Sequence, residues 1–301
     1  MRMKAIEAKP FVKWAGGKTQ LLDEVCKSLP EDLCRREKIV YVEPFVGGGA
    51  VLFWILQNYP NIEKAIINDI NTELICTYRI IKSNVQDLIK LLDSIQSEYL
   101  SKNTDDRKLY FLEKRKQYNS KNKSDLETAA LFIFLNRTCF NGLYRVNSKG
   151  EFNVPHGKYQ NPKICDKDNL LAVSRALQNV DILCGDFENT EKYAGLNAVF
   201  YIDPPYKPIT ETSSFTSYTK YGFGDVEQFR LRDFCIRISC KKAQFVASNS
   251  DPKEKTGLPF FDKLYCQFKI RRVKATRLIN SNTSNRGFVS EIMISNVMKL
   301  Q

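Results

Sequence analysis

Four consecutive residues, Asp203, Pro204, Pro205 and Tyr206, directly follow the apolar run AVFYI, and their types could grip a planar amine. Consecutive prolines remove two backbone donors and hold an extended, rigid turn. The turn leaves carbonyls facing outward and sets a carboxylate and an aromatic ring at a fixed separation. A heteroaromatic ring could stack on Tyr206 while its exocyclic NH2 donates to the Asp203 carboxylate and the Pro204 carbonyl. Such bonds push the nitrogen lone pair toward attack on a transferred group. The plain alternative is a strand-to-loop turn with an incidental Asp-Pro-Pro, and a second motif weighs against it.

That second motif is EPFVGGGAV, residues 43–51. Its glycines lie between an apolar strand and a helical pattern, where a ligand can approach the backbone closely. Gly47 and Gly49 supply G-x-G, but Leu52 occupies the third place of the dinucleotide fingerprint. A pyrophosphate cofactor loses support, and a cofactor without one fits. Asp69, at the end of the next strand, is placed to accept hydrogen bonds from ribose hydroxyls. A third stretch, KWAGGKTQ at residues 13–20, ends like a phosphate-binding loop. The full pattern needs glycine at position 12, where this chain has Val12, and the preceding EAKPF is no buried strand. A nucleoside triphosphate is therefore not its ligand.

The elements that must position these residues alternate in type. IVYVE (39–43) reads as a strand, AVLFWILQN as a helix and KAIIND (64–69) as a second strand. Asn71 is a fitting N-cap for the helix TELICTYRIIK. Strand-like runs recur at 180–185, 197–203 and 243–249. This alternation predicts an α/β fold, a parallel sheet with crossover helices and ligands outside the carboxyl ends of the strands. Residues 84–136 read as helices, and residues 137–160 mix aromatics, bases and turns. Ser-Lys-Gly between YRVN and EFNV predicts a β-hairpin. The α/β halves, 1–82 and 165–301, thus bracket an inserted unit at 83–164.

Composition bounds the partners. The chain has 301 residues and is 43% hydrophobic, enough to bury a full core. The absence of an apolar run of membrane-spanning length, and of a signal-peptide centre, predicts a cytoplasmic protein with no membrane partner. Nine cysteines without a C-x-x-C pair predict buried free thiols, and a lone histidine, His156, predicts no metal site. A net charge of +12 favours a polyanionic partner, and the bases concentrate in the insert: residues 81–164 hold 15 Lys and Arg against 9 acids. KIRRVKATR (269–277) adds a second basic cluster, read either as a strand lining a nucleic-acid cleft or as a solvated strand.

PFVKWAGGKTQLL, YVEPFVGGGAV, INDINTEL, FNGLYRVNSKGEFNVPHGKY and YIDPPY occur in that order along nearly the whole chain. In these stretches the sequence resembles the Dam-type, D12-class DNA adenine-N6 methyltransferases, and is most similar to their restriction–modification branch. The resemblance implies a Rossmann-like methyltransferase sheet with an inserted helical and hairpin recognition domain. It also implies S-adenosylmethionine as donor and adenine in double-stranded GATC as target, flipped out of the helix. The implied mechanism is direct in-line attack, with no metal and no obligate protein partner.

Residue by residue, the resemblance places Trp14 and Lys18 beside the methionine end of the cofactor. Gly47 and Gly49 become the cofactor loop and Asp69 the ribose ligand. Asp186 and Phe187 fall on the cofactor adenine, with core packing as the alternative for Phe187. Asp203, Pro204, Pro205 and Tyr206 form the catalytic corner. Phe140 is implied as the intercalating side chain, with Asn141, Leu143, Arg145 and Pro155 near base edges and Lys13 and Arg137 on the DNA. Arg145 would read a guanine, or else bond a phosphate or the hairpin itself. The segment 207–223 is expected to form a mobile loop over the base. Rival readings keep the corner but change the substrate to RNA or a protein glutamine, or keep the scaffold as an inactive DNA-binding regulator.

Overall fold

The computed structural model describes residues 6–14, 16, 18, 21–206, 223–252, 259–276 and 288–297. Seven strands form one sheet: β1 (Ile39–Glu43), β2 (Ile62–Asp69), β3 (Val180–Cys184), β4 (Ala198–Ile202), β5 (Gln244–Ser250), β6 (Lys269–Thr276) and β7 (Phe288–Ser295). Their spatial order is β3-β2-β1-β4-β5-β7-β6. The first five run parallel, whereas β7 is antiparallel to both β5 and β6. The α/β class matches the sequence reading, and the all-parallel expectation is corrected at this edge. KIRRVKATR carries charge where a buried parallel strand needs apolar residues, and its partner β7 gave no recognised strand signal.

The central strands are apolar on both faces because helices cover both. Alternate residues divide between two cores. Tyr41, Val199, Tyr201 and Val246 join one, and Val42, Phe200, Ile202, Phe245 and Ala247 join the other. On the first face lie α2 (Ala50–Asn58), α3 (Thr72–Ser83) and α7 (Lys167–Ala176), after a short α1 (Leu22–Cys26). The second face is covered by α8 (Asp225–Cys240) and α9 (Phe260–Leu264). Asn71 caps α3 as expected, its side chain accepting from Leu74 N at 2.8 Å.

Between α3 and α7 come α4 (Val85–Ser101), α5 (Thr104–Asn119) and α6 (Asp125–Thr138). Leu88, Leu92, Ile95 and Tyr99 give α4 one buried stripe, whereas α6 is buried from Ala129 to Asn136 without a polar face. Such a helix belongs at the centre of its bundle. Its start is fixed by Ser124 and Glu127, each bonding the other's backbone N–H. The predicted hairpin after α6 is narrow: Val146 pairs with Phe152, and Gly150 N bonds Asn147 O at 2.9 Å across the turn.

All nine thiols are free, but only Cys139, Cys165 and Cys235 are buried. The expectation of buried thiols is thus corrected at Cys26, Cys34, Cys240 and Cys266, which are exposed near the ends of elements. Among the described residues no helix is long and apolar enough to cross a membrane.

The turn from β1 to α2 depends on Gly49, which has φ +76°; a β-carbon there would lie 2.5 Å from the Tyr78 hydroxyl and 2.9 Å from Phe53. Backbone strain and overpacking then add. Gly49→Ala should lower unfolding free energy by about 2–4 kcal/mol, measured by urea denaturation, with an unchanged midpoint refuting the packing described.

Candidate active site at the strand ends

The carboxyl ends of β1, β2, β4 and β5 meet where the sheet order reverses, the usual position of a ligand crevice. Asp203 follows β4 directly. Its Oδ1 accepts the Ser248 hydroxyl from β5 at 2.8 Å and lies 3.0 Å from the Lys18 ammonium. Lys18 is 4% exposed, donates to the Gly16 carbonyl at 2.9 Å and stands 4.4 Å from the centroid of the Tyr206 ring. The Tyr206 hydroxyl donates to Glu291 Oε2 on β7 at 2.6 Å. Burial, then the Asp203 and Glu291 charges, hold the Tyr206 phenol well above its usual range. The corner therefore presents a carboxylate, an aromatic face and one ammonium within a single contact distance.

Across the crevice, the glycine turn is tied to the second strand. Asp69 accepts Gly47 N at 3.0 Å through Oδ2 and Asn71 N at 3.0 Å through Oδ1. Burial raises its carboxyl, while these backbone donors oppose the rise. The Ile70 N–H adds a third backbone donor, and a carboxylate has about four lone-pair sites, so capacity for a hydroxyl remains. Gly47 and Gly48 lie against Trp14, so close that a β-carbon on Gly47 would stand 2.8 Å from the indole. Trp14 in turn stacks on Tyr144 at 5.5 Å.

Glu43, at the end of β1, is buried and accepts from the Tyr41 hydroxyl at 2.9 Å. Burial above all, with Asp203 and Asp69 nearby, pushes its carboxyl well up and favours the protonated form. Asp186 caps the following 3-10 turn through Glu188 N at 2.9 Å, and Arg230 reaches both its oxygens at 3.1 Å. Phe187 is 4% exposed, stacks on Phe45 at 5.3 Å and meets Phe234 edge-on. Its core packing is plain, and Phe45 extends that aromatic surface outward. Ile70, beside Asp69, is 49% exposed. A buried lysine, a diol-competent acid and apolar faces suit a ligand with a carboxylate, a ribose and a flat ring.

Most of the residues expected to meet DNA are linked through Asn136 and the turn after α6. Asn136, buried on α6, accepts Lys13 N at 2.7 Å and donates to Lys13 O at 2.7 Å and Gly142 O at 3.0 Å. This amide clamps the N-terminal segment to the turn that bears Phe140, Asn141 and Leu143. Phe140 is 52% exposed and Asn141 has φ 54°. Phe140 N also bonds Pro155 O at 2.8 Å, joining the turn to the far hairpin strand. Arg145 is exposed and donates to Asn153 Oδ1 at 2.7 Å. Arg137 stands apart. Its guanidinium turns inward to the Phe11 carbonyl at 2.8 Å, and burial lowers its pKa.

The model of the D12 class N6 adenine-specific DNA methyltransferases matches residues 14–279. The chain belongs to this family. It is an adenine-specific DNA methyltransferase. A Type II methyltransferase of Methanocaldococcus jannaschii, M.MjaIII, is 48% identical over 97% of this chain and 100% of that protein. The Type II methyltransferase M1.LlaDCHI of Lactococcus lactis is 40% identical over 98% of both chains. The DNA adenine methylase of Haemophilus influenzae is 37% identical over 96% of this chain and 93% of its own.

Several side chains of the methyltransferase's site escaped the sequence reading. Ser248, Glu291, Asn136 and Arg230 carry no motif; only their burial or pairing in three dimensions marks them. The basic strand also reads differently once folded. Arg271 bonds Glu24 and Ser28, and Arg272 bonds Asp251 and Asp262, so both arginines already serve as internal ties. The segment 207–222, with Gly17, Thr19 and Gln20, lies outside the described residues.

Removing the Asn136 amide strands one donor and two acceptors inside the methyltransferase. Asn136→Ala should cost about 2–4 kcal/mol of stability, checked by chemical denaturation. A change below about 0.5 kcal/mol, the size expected of a neutral surface substitution, would show that the clamp is not formed.

Proposed function

We propose that this methyltransferase moves a methyl group from S-adenosylmethionine to N6 of an adenine in double-stranded DNA, within GATC and after flipping the base. The single observation that carries the reading is the convergence of Asp203, Tyr206 and Lys18 at the end of β4. When bound, the donor supplies an electrophilic methyl carbon. Lys18 would face its carboxylate, Asp69 its ribose, and Ile70 with the Phe45 surface its ring.

The chain's own residues then act on the amine. Asp203 and the Pro204 carbonyl accept its hydrogens, so the lone pair is held toward the methyl carbon. Tyr206 supplies the stacking that the base loses on leaving the duplex. Catalysis is mostly positioning plus stabilisation of the charge developing on nitrogen. No strong base is required, because the methylated ammonium is acidic enough to lose its proton to carboxylate or water. In this reading residues 1–82 and 165–301 are catalytic and residues 83–164 read the target.

What supports duplex DNA is the basic insert and the exposed Phe140, Asn141, Arg145 and Pro155 on one turn and hairpin. Arg145 retains N–H groups beyond those given to Asn153, enough to approach guanine O6 and N7. The target word follows from the family likeness, and two relatives named as Type II methyltransferases favour a role in restriction–modification.

Asp203→Ala should abolish most methyl transfer to a GATC duplex while DNA affinity stays within a few-fold of wild type. Turnover near wild type would refute the assignment. Digestion of DNA from expressing cells with methylation-sensitive and methylation-dependent GATC nucleases tests the target word directly. Arg145→Ala should lose about 1–3 kcal/mol of discrimination at the cognate site. An equal loss of affinity on every one-base variant would assign Arg145 to a phosphate instead.

A further inference from the structure

Asp203 has two carboxylate oxygens, and one of them, Oδ1, takes two anchors. Oδ1 takes both the Ser248 hydroxyl and the Lys18 ammonium. These two anchors differ in kind. Lys18 also lies over the Tyr206 ring at 4.4 Å, on the aromatic surface that a target base needs. A base stacking there competes with the ammonium for space and for Asp203. Ser248 comes from below, on the strand next to β4. The register pairs Ile202 with Ala247, which sets Ser248 level with Asp203.

Ser248 is fully buried, and so is Tyr201, whose hydroxyl lies 3.3 Å from Ser248 Oγ. A serine hydroxyl has one proton. Because Ser248 gives its proton to Asp203, Tyr201 must be the donor to Ser248. The result is a directed chain from the sheet interior to the catalytic turn, Tyr201 to Ser248 to Asp203. Two fully buried hydroxyls would be costly without such partners.

We propose that Ser248, backed by Tyr201, is a positioning residue for methyl transfer: it pins Asp203 Oδ1 so that Oδ2 stays turned toward the adenine amine, including when Lys18 leaves that oxygen. This rests on the proposed reading of the site. Ser248 touches neither base nor donor. Its effect passes through Asp203, so it belongs to the chemical step and not to binding. Small misplacement of a reacting group slows a reaction by up to roughly 10²-fold.

The test is single-turnover methylation of a GATC duplex with labelled S-adenosylmethionine, alongside DNA affinity, cofactor KM and thermal melting. Ser248→Ala should slow the step about 10- to 100-fold, with DNA affinity and cofactor KM within about threefold of wild type. Ser248→Thr, which keeps the hydroxyl, should recover most of the rate. Tyr201→Phe removes only the distal donor and should cost less than Ser248→Ala. A wild-type rate in Ser248→Ala overturns the proposal. So does a loss confined to KM, or a folded Thr variant as slow as Ala. Should Ser248→Ala fail to fold, Tyr201→Phe decides: a measurable slowing supports the chain and a wild-type rate refutes it. If Asp203→Ala is inactive while Ser248→Ala is unimpaired, only the positioning role falls. If wild-type protein labels no adenine, the reading of the site itself falls.

Discussion

The ion pair between Lys18 and Asp203 is the contact on which the rest of this structure turns. Three acids, Glu43, Asp69 and Asp203, end neighbouring parallel strands, and Lys18 is the cation bonded within that group. A buried carboxylate is costly unless paired, and the three acids resolve that cost in different ways. Burial pushes the Glu43 carboxyl well up, and it accepts from the Tyr41 hydroxyl. Asp69 is held by backbone N–H groups of the glycine turn and α3. Of the three, Asp203 has the ammonium, on the same Oδ1 that takes the Ser248 hydroxyl.

Lys18 reaches that position from a segment with no strand ladder of its own. Side-chain amides replace the ladder. Asn169 pairs both backbone groups of Lys9 at 2.9 and 3.0 Å, Asn136 does the same for Lys13, and Gln57 donates to Ala8 O at 2.6 Å. Each amide arises from a different helix, α7, α6 and α2. A segment bonded this way inherits the rigidity of three helices, and Phe11 and Val12 bury their side chains in the core beside it. Trp14 then closes against Gly47 and Gly48, which have no β-carbon to resist it.

Much of this was legible in the sequence because it rests on local rules. Asp203 to Tyr206 announces itself through two prolines after an apolar run, and the glycine turn through a strand and helix on either side. The central parallel strands β1, β4 and β5 were visible as apolar runs because both of their faces are buried. What stayed hidden depends on pairing across long separations. Ser248 is one serine in QFVASNS, and Glu291 one acid in a strand read as nothing in particular; each gains meaning only when β5, β7 and the turn lie side by side. Charge alone left the basic residues' internal partners hidden for a similar reason. Arg271 and Arg272 look like a nucleic-acid surface until their acids arrive from 247 and 10 residues away. Arg137 looks equally exposed until the Phe11 carbonyl meets it.

The antiparallel edge shows why such distant residues matter. A sheet of parallel strands alone sends every carboxyl end to the crevice, and each chain exit there competes with the ligand for space. Reversing β7 brings the middle of a strand, not its end, past the Asp203–Tyr206 turn. Glu291 lies opposite Ser250 in the β5 register and is fixed by ladder bonds on both sides. It can therefore hold the Tyr206 hydroxyl without any loop of its own at the site. The Asp203–Tyr206 turn is thus braced by strand interiors, Ser248 under the carboxylate and Glu291 at the Tyr206 hydroxyl. The glycine turn opposite is left as the backbone surface that a ligand can approach closely. In the proposed reading, rigidity lies where an amine would be aimed and backbone access where a cofactor would be admitted, the division of labour that transfer between two bound partners requires.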